Sequence, residues 1–263
     1  MKSLDVLHEY AESLENLLRL RSFPIAVRLL EKGAHIPEGA KRPRKDYGYR
    51  FMTCQGLMQS RRAGVTIAQT KDDMWCFEAA LGYGFIEPNE YFLQGNTRFP
   101  EGIISTREGA ELWAREFPRL EYGKYHAIVS APLAAVSFEP DLVIIYADSA
   151  QITQLLIAGI WIDGHDITSR LSGMGGCVMS VVPVLQTGGC QVSFPCPGDR
   201  NVAFAQDDEV IFSAPIVKLE GLIAGLKQLK QTGFGLPAVP LTACQPKLLP
   251  SYMEMARMYA MLE

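Results

Sequence analysis

Apolar positions recur at spacings of three and four near the start of the chain. Leu4, Leu7, Leu14, Leu17 and Leu18 fall on one side; Glu9, Glu12, Glu15 and Arg19 fall on the other. That period predicts an amphipathic helix over residues 3–21, closed off by Pro24. Ile25-Ala26-Val27-Arg28-Leu29-Leu30 then reads as a strand. The stretch from Glu31 to Tyr49 is rich in Gly, Pro, Lys and Arg and reads as a surface loop. Thr53 is placed to cap a short helix through Arg62, with Gly64 as its stop. Thr66 to Phe77 reads as extended with Cys76 at its end, residues 79–100 as irregular, and Thr106 opens a helix to about Phe117.

The middle of the chain carries the clearest pattern. Ala127 to Ser130 and Val136 to Phe138 read as strand pieces, and Pro140-Asp141 as a turn. Leu142-Val143-Ile144-Ile145-Tyr146-Ala147 is a nearly continuous apolar strand, which predicts a sheet covered on both faces. Asp148 and Ser149 then offer caps for a helix from about Ala150 to Ile160. A further helix is expected within residues 170–188, from the Gly175-Gly176 pair to Gly188-Gly189, with Pro183 as a kink or boundary. Gln191 to Phe194 and Glu209 to Ser213 read as strands, Leu219 to Gln231 and Tyr252 to Met261 as helices. The order predicts an α/β fold, with α+β as the alternative: a mixed sheet with flanking helices, largely one domain. It divides into a helix at 1–21, a domain over 22–236, and a Pro-rich tail with a closing helix at 237–263. Ser130-Ala131-Pro132-Leu133 and Ser213-Ala214-Pro215-Ile216 repeat one pattern. Internal duplication is one explanation and shared turn chemistry the other; four residues do not choose between them.

Composition narrows the classes. The 263 residues are 48% apolar and 21% charged, with a formal net charge of −4. Such a chain can fill a sizeable core and lacks the strong positive charge of a non-specific nucleic-acid binder. No apolar run reaches the length of a membrane span, and the residues after Met1 are polar and acidic rather than signal-like. A cytoplasmic protein is therefore expected, acting away from membranes and nucleic acid. In that compartment the six cysteines, Cys54, Cys76, Cys177, Cys190, Cys196 and Cys244, are expected to be reduced. The four histidines read as surface or capping residues. The Lys41-Arg42-Pro43-Arg44-Lys45 run reads as a solvated loop, and the aromatic stretch 75–99 as part core, part pocket wall.

Candidate chemistry rests on the thiols. Cys177 follows Gly175-Gly176 at a helix start, where backbone N–H groups favour thiolate; burial as a small apolar residue is the competing reading. Cys196 lies in a Pro195-Cys196-Pro197-Gly198 turn followed by Asp199 and Arg200, so Arg200 is placed to clamp an anion or lower the thiol pKa. Cys54 sits near a helix start close to Arg50, and Cys76 lies between Trp75 and Phe77. No Cys-x-x-Cys pair exists, so a metal site would have to assemble from separate segments.

Residues 22–232 resemble the domain-of-unknown-function 169 family. The resemblance is carried by Pro24 to Arg28, the Cys54 and Cys76 segments, Ala131-Pro132-Leu133, Pro140 to Ile145, and the Pro195 to Arg200 turn. It implies a cytoplasmic protein of archaea and anaerobic bacteria, carries over no activity, and groups Cys54, Cys76 and Cys196. Three functions are then expected in turn. The first is a redox or cofactor-handling protein in which Cys54, Cys76 and Cys196, with Cys177 or Cys190, hold an iron–sulfur cluster or other thiophilic metal. The second is a metal-free enzyme with Cys196 as the reactive group and Arg50 or Arg200 binding a small carboxylated or phosphorylated substrate. The third is a ligand-binding protein with structural thiols. A small anionic ligand and a homo-oligomer are the partners expected.

Overall fold

The computed structural model describes residues 3–236, 248–259 and 261. Cys244 and most of the Pro-rich tail lie outside the described residues. Helix α1 (Leu4–Leu18) is capped by Ser3 and ends at Arg19, which takes a left-handed φ of 55° well before Pro24. There follow β1 (Ile25–Glu31), α2 (Thr53–Ala63), β2 (Ile67–Thr70), α3 (Phe77–Gly82), α4 (Glu90–Leu93), α5 (Arg107–Glu116) and β3 (Tyr125–Pro132). The second half carries β4 (Leu142–Ala147), α6 (Ser149–Asp163), α7 (Gly176–Met179), α8 (Val182–Thr187), β5 (Gln191–Ser193), α9 (Pro197–Val202), β6 (Val210–Pro215) and α10 (Leu219–Thr232). Helix α11 (Pro250–Met258) lies beyond the tail. The basic run that reads as open loop contains one π-helical turn, Pro43–Tyr47. Val136 to Phe138 is not a strand.

The six strands form one sheet in the order β2-β3-β1-β4-β6-β5. Every named pair is antiparallel; among the described residues parallel pairing occurs only at the isolated bridges Lys41–Ile67 and Phe51–Met74. The strands are nevertheless apolar on both sides, because helices cover both faces. Along β4, Val143 and Ile145 enter one core with α1, α6 and α10. Leu142, Ile144 and Tyr146 enter the other, with Leu57 of α2 and residues of α3, α7 and α8. Helix α1 thus belongs to the main body through Leu7, Ala11, Leu14 and Leu18.

The sheet has two halves of one design. In chain order and in space, β1-β3-β2 matches β4-β6-β5. Ile25 and Ala26 pair with Pro132 and Ala131; Leu142 and Val143 pair with Pro215 and Ala214. Ile67 pairs with Ser130 as Gln191 pairs with Ser213. The central contact, Ile25–Ile144, Ala26–Val143 and Val27–Leu142, is symmetric about its middle pair. The repeated Ser-Ala-Pro sequence ends β3 and β6, each followed by a single 3-10 turn.

Candidate thiol site

Four cysteines reach the sheet face that carries α2, α3, α7 and α8. Cys54 is the second residue of α2 and Cys177 the second of α7. Cys76 and Cys196 are the N-caps of α3 and α9, the short helices that follow the two edge strands. Cys54 and Cys177 are buried; Cys76 and Cys196 are half-buried. The thiols of Cys76 and Cys177 are the strongest influence on each other's ionisation. The sulfurs of Cys196 and Cys54 flank Gly198, 3.6 and 4.0 Å from where its Cβ would stand.

Gly176 permits this gathering. A Cβ there would lie 2.8 Å from both the Phe194 carbonyl and Asp199 Oδ2, so only glycine lets α7 seat against the Cys196 turn. Gly175 supplies the left-handed turn at φ 65°. The close approach is what seats Cys177 beside the Cys196 turn.

Asp199 is fully buried at the centre of the polar contacts. Its Oδ2 accepts from the Cys196 thiol and from the Cys196 N–H, both at 3.0 Å. Its Oδ1 accepts from the Tyr146 hydroxyl at 3.1 Å. Behind Tyr146 lies a buried ion pair. Arg61 (1% exposed) donates to both oxygens of Glu209 (2% exposed) at 2.8 and 3.2 Å, and its guanidinium stacks 3.9 Å over the Tyr146 ring. Cys54 and Arg61 sit seven residues apart on α2, two turns, and so share one face. Arg98, paired with Glu78, brings a partly buried positive charge near Cys76 and Cys196.

These surroundings split the thiols. The hydrogen bond from Cys177 lowers the Cys76 pKa from the ordinary thiol value, helped by the N–H groups of Ala79 and Thr53, and that same bond raises Cys177. Burial pushes Cys54 up, with the nearby Asp199 charge adding to it. Burial, then Asp199, pushes Cys196 up to about 11. The thiol best placed as a nucleophile is accordingly Cys76, not Cys196.

Three sequence-predicted residues lie elsewhere. Cys190, just before β5, belongs to the opposite core, the one built with α1, α6 and α10. Arg200 donates to the Gln206 carbonyl at 2.8 Å and approaches Asp207, so it braces the loop before β6 rather than the thiols. Arg50 donates to the Asp72 carbonyl and stacks on Trp75. Of the histidines, His8 and His126 bond the carbonyls of Val136 and Ala34. Among the described residues no three His, Cys, Asp or Glu side chains are gathered to hold one metal ion. Beside Cys76, Phe77, Leu81, Ile86, Tyr91 and Phe92 line an apolar pocket of about 280 Å³, while Tyr83 and Phe85 are core.

A family model described as "Uncharacterised ArCR" matches residues 13–225, most of the chain and every residue of the thiol site. The chain belongs to the DUF169 family. The DUF169 match begins inside α1 and ends inside α10, so it takes in both sheet halves and both cores. No curated protein and no solved structure matches the chain. No helix among the described residues is long and apolar enough to cross a membrane.

Proposed function

We propose that this DUF169 protein is a thiol-dependent cofactor protein, in which Cys54, Cys76, Cys177 and Cys196 hold an iron–sulfur cluster or other thiophilic metal centre in a redox or cofactor-handling role. The observation that carries the reading is the convergence of four cysteines from four separate segments on one sheet face. The donor set fits such a group. Thiolates suit thiophilic metals, and the buried Asp199 carboxylate adds negative charge that a bound cation would offset. The interacting thiols of Cys76 and Cys177 match the edge of a tetrahedral thiolate site better than they match three ligands on one ion. A bound centre would supply electron transfer or polarisation of a ligand. The residues of the chain orient the thiols through helix N-caps, shield them under α2 and α7, and hold the Cys196 thiol against Asp199. The setting proposed is the cytoplasm of an anaerobe. Any small anionic ligand would meet Arg98 before Arg200, and a homo-oligomer remains part of the proposal.

The test is iron and acid-labile sulfide analysis of protein purified without oxygen, with its visible spectrum. Stoichiometric iron and sulfide with a broad absorbance, lost in C196S and in C76S, is the expected result. A colourless, metal-free protein after cluster reconstitution would overturn it. A second reading has one specific observation behind it: the hydrogen-bonded Cys76–Cys177 pair is arranged as a nucleophilic thiol with a neighbour to form a disulfide. In that case the colourless protein would still lose two thiols on mild oxidation.

A further inference from the structure

The two sheet halves carry the cysteines at equivalent places. Cys76 and Cys196 each cap a six-residue helix after an edge strand. Two residues past the end of each helix the backbone turns left-handed, at Gly84 (φ 71°) and at Phe204 (φ 53°). A non-glycine residue at that φ is uncommon, so the shared turn marks common design. Upstream, α2 ends at Gly64 (φ 73°) and α8 at Gly188 (φ 66°), each three residues before its edge strand. The helical segments that end there begin with Thr53-Cys54 and Gly176-Cys177.

The donors around the thiols repeat as well. The N–H of Ala79, third residue of its own helix, and that of Thr53 favour the Cys76 thiolate. Cys196 accepts from the N–H of Asp199, third residue of its own helix, and from that of Gly176. Thr53 and Gly176 are the matching first residues of α2 and α7. A pseudo-two-fold axis normal to the sheet, through the Ala26–Val143 pair, therefore exchanges Cys54 with Cys177 and Cys76 with Cys196. It converts the Cys76–Cys177 couple, which joins the two halves, into the Cys196–Cys54 couple, which also joins them.

We infer that the site is a binuclear thiolate centre, with one thiophilic ion on Cys76 and Cys177 and a second on Cys54 and Cys196. This rests on the thiol-cofactor reading above and sharpens it. Two thiolates on one tetrahedral ion stand about 3.8 Å apart for metal–sulfur bonds of about 2.3 Å, a spacing the two thiols of each couple would close to on binding. Two such couples give two ions, the ligand pattern of a two-iron, two-sulfide core, and leave no three ligands on one ion. Each sulfur that coordinates exchanges its S–H bond for a sulfur–metal bond. Four protons leave to solvent for two ions bound, and no electron moves when the ion is cadmium. At the third helix residue the halves differ, with Asp199 in one and Ala79 in the other. The Cys54–Cys196 ion therefore sits beside the extra negative charge.

The test is an anaerobic titration of the reduced full chain with Cd(II), in a C190S/C244S background, followed by thiolate-to-cadmium ultraviolet absorption and by the count of thiols still reactive. Two ions per chain and the loss of four reactive thiols are expected. C76S/C177S and C54S/C196S should each keep one ion, which also shows that each folds; should a double variant lose the wild-type far-UV dichroism, C76S and C54S are read in its place. One ion per chain, abolished by substitution in either couple, would establish a single four-thiolate site and overturn the inference, as would no binding by the folded protein. Two cadmium ions with no native iron or sulfide would leave the binuclear geometry standing and sink the iron–sulfur reading. Native cluster with one cadmium ion would do the reverse.

Discussion

At the residue scale the decisive contrast is between two cysteines in matching backbone positions. Cys76 and Cys196 both cap a helix and in both two backbone N–H groups favour the thiolate, yet the first is influenced most by another thiol and the second donates to a buried carboxylate. Cys76 is expected to alkylate fastest near neutral pH, mapped by mass spectrometry of iodoacetamide-treated protein. Removing the donor in C177A should move its reactivity inflection upward, towards the ordinary thiol value of 9.0. Equal alkylation rates for Cys76 and Cys196 would contradict this account. Below them the Arg61–Glu209 pair has no solvent to fall back on. E209Q leaves a buried guanidinium without its counter-charge and should cost about 3–5 kcal/mol in urea unfolding. Since Arg61 also stacks on Tyr146, the same substitution should loosen Asp199 and speed the reaction of Cys196.

At the element scale, placement depends on where helices can touch. Gly176 is the contact point of α7 with the Cys196 turn, and G176A puts a methyl at 2.8 Å from a backbone carbonyl. We expect a loss of about 1–3 kcal/mol by thermal unfolding. We also expect Cys76 to lose its low reactivity threshold as α7 withdraws Cys177. Phe204 offers the opposite case. It is largely exposed, holds a left-handed backbone, and contributes its carbonyl rather than its ring to Arg61 and Arg62. F204G relieves that backbone strain and should raise stability by up to about 1 kcal/mol, which for a chain of this size is a melting-point gain of about 2–4 °C. A fall in melting point would show that the ring packs in a way that its exposure does not indicate.

At the scale of the whole molecule, the reduced protein should weaken in alkali. Burial raises Cys196 and Cys190 from 9.0 to about 11 each, so the fold favours their protonated forms. A folded pKa above the unfolded one contributes stability that is fully present below pH 9 and is lost as pH rises towards 11. Melting temperature measured across that window should drop, and C196S should flatten the slope. Bound cadmium should reverse the sign, because coordinated thiols are already deprotonated and the metal binds the folded site.

Much of the architecture was legible in residue patterns. The caps at Thr106 and Asp148, the stop at Gly64, and the apolar run Leu142 to Ala147 appear in the structure, because each is a local preference that the core did not need to override. The repeated Ser-Ala-Pro was visible too, but too short to argue from until the strand registers matched on both sides of it. What the sequence determined by itself was therefore the longer helices and the main strands, the thiols as the chemistry to follow, and family membership through the order of short segments; the short helices α3, α4 and α9 and the split of residues 170–188 into α7 and α8 were not in it. Tertiary structure decided the rest. It made the sheet antiparallel, since apolar strands report only that both faces are covered and not the direction of their neighbours. It sent Cys190 to the opposite core and brought Cys177 to Cys76 across about a hundred residues, because contact between separate segments depends on sheet order and helix seating. It also gave Asp199, Tyr146, Arg61 and Glu209 their shared place, where the only local hint was a spacing of seven on one helix. Side chains far apart in sequence meet only after the fold has chosen which face each strand presents, and a linear pattern does not contain that choice.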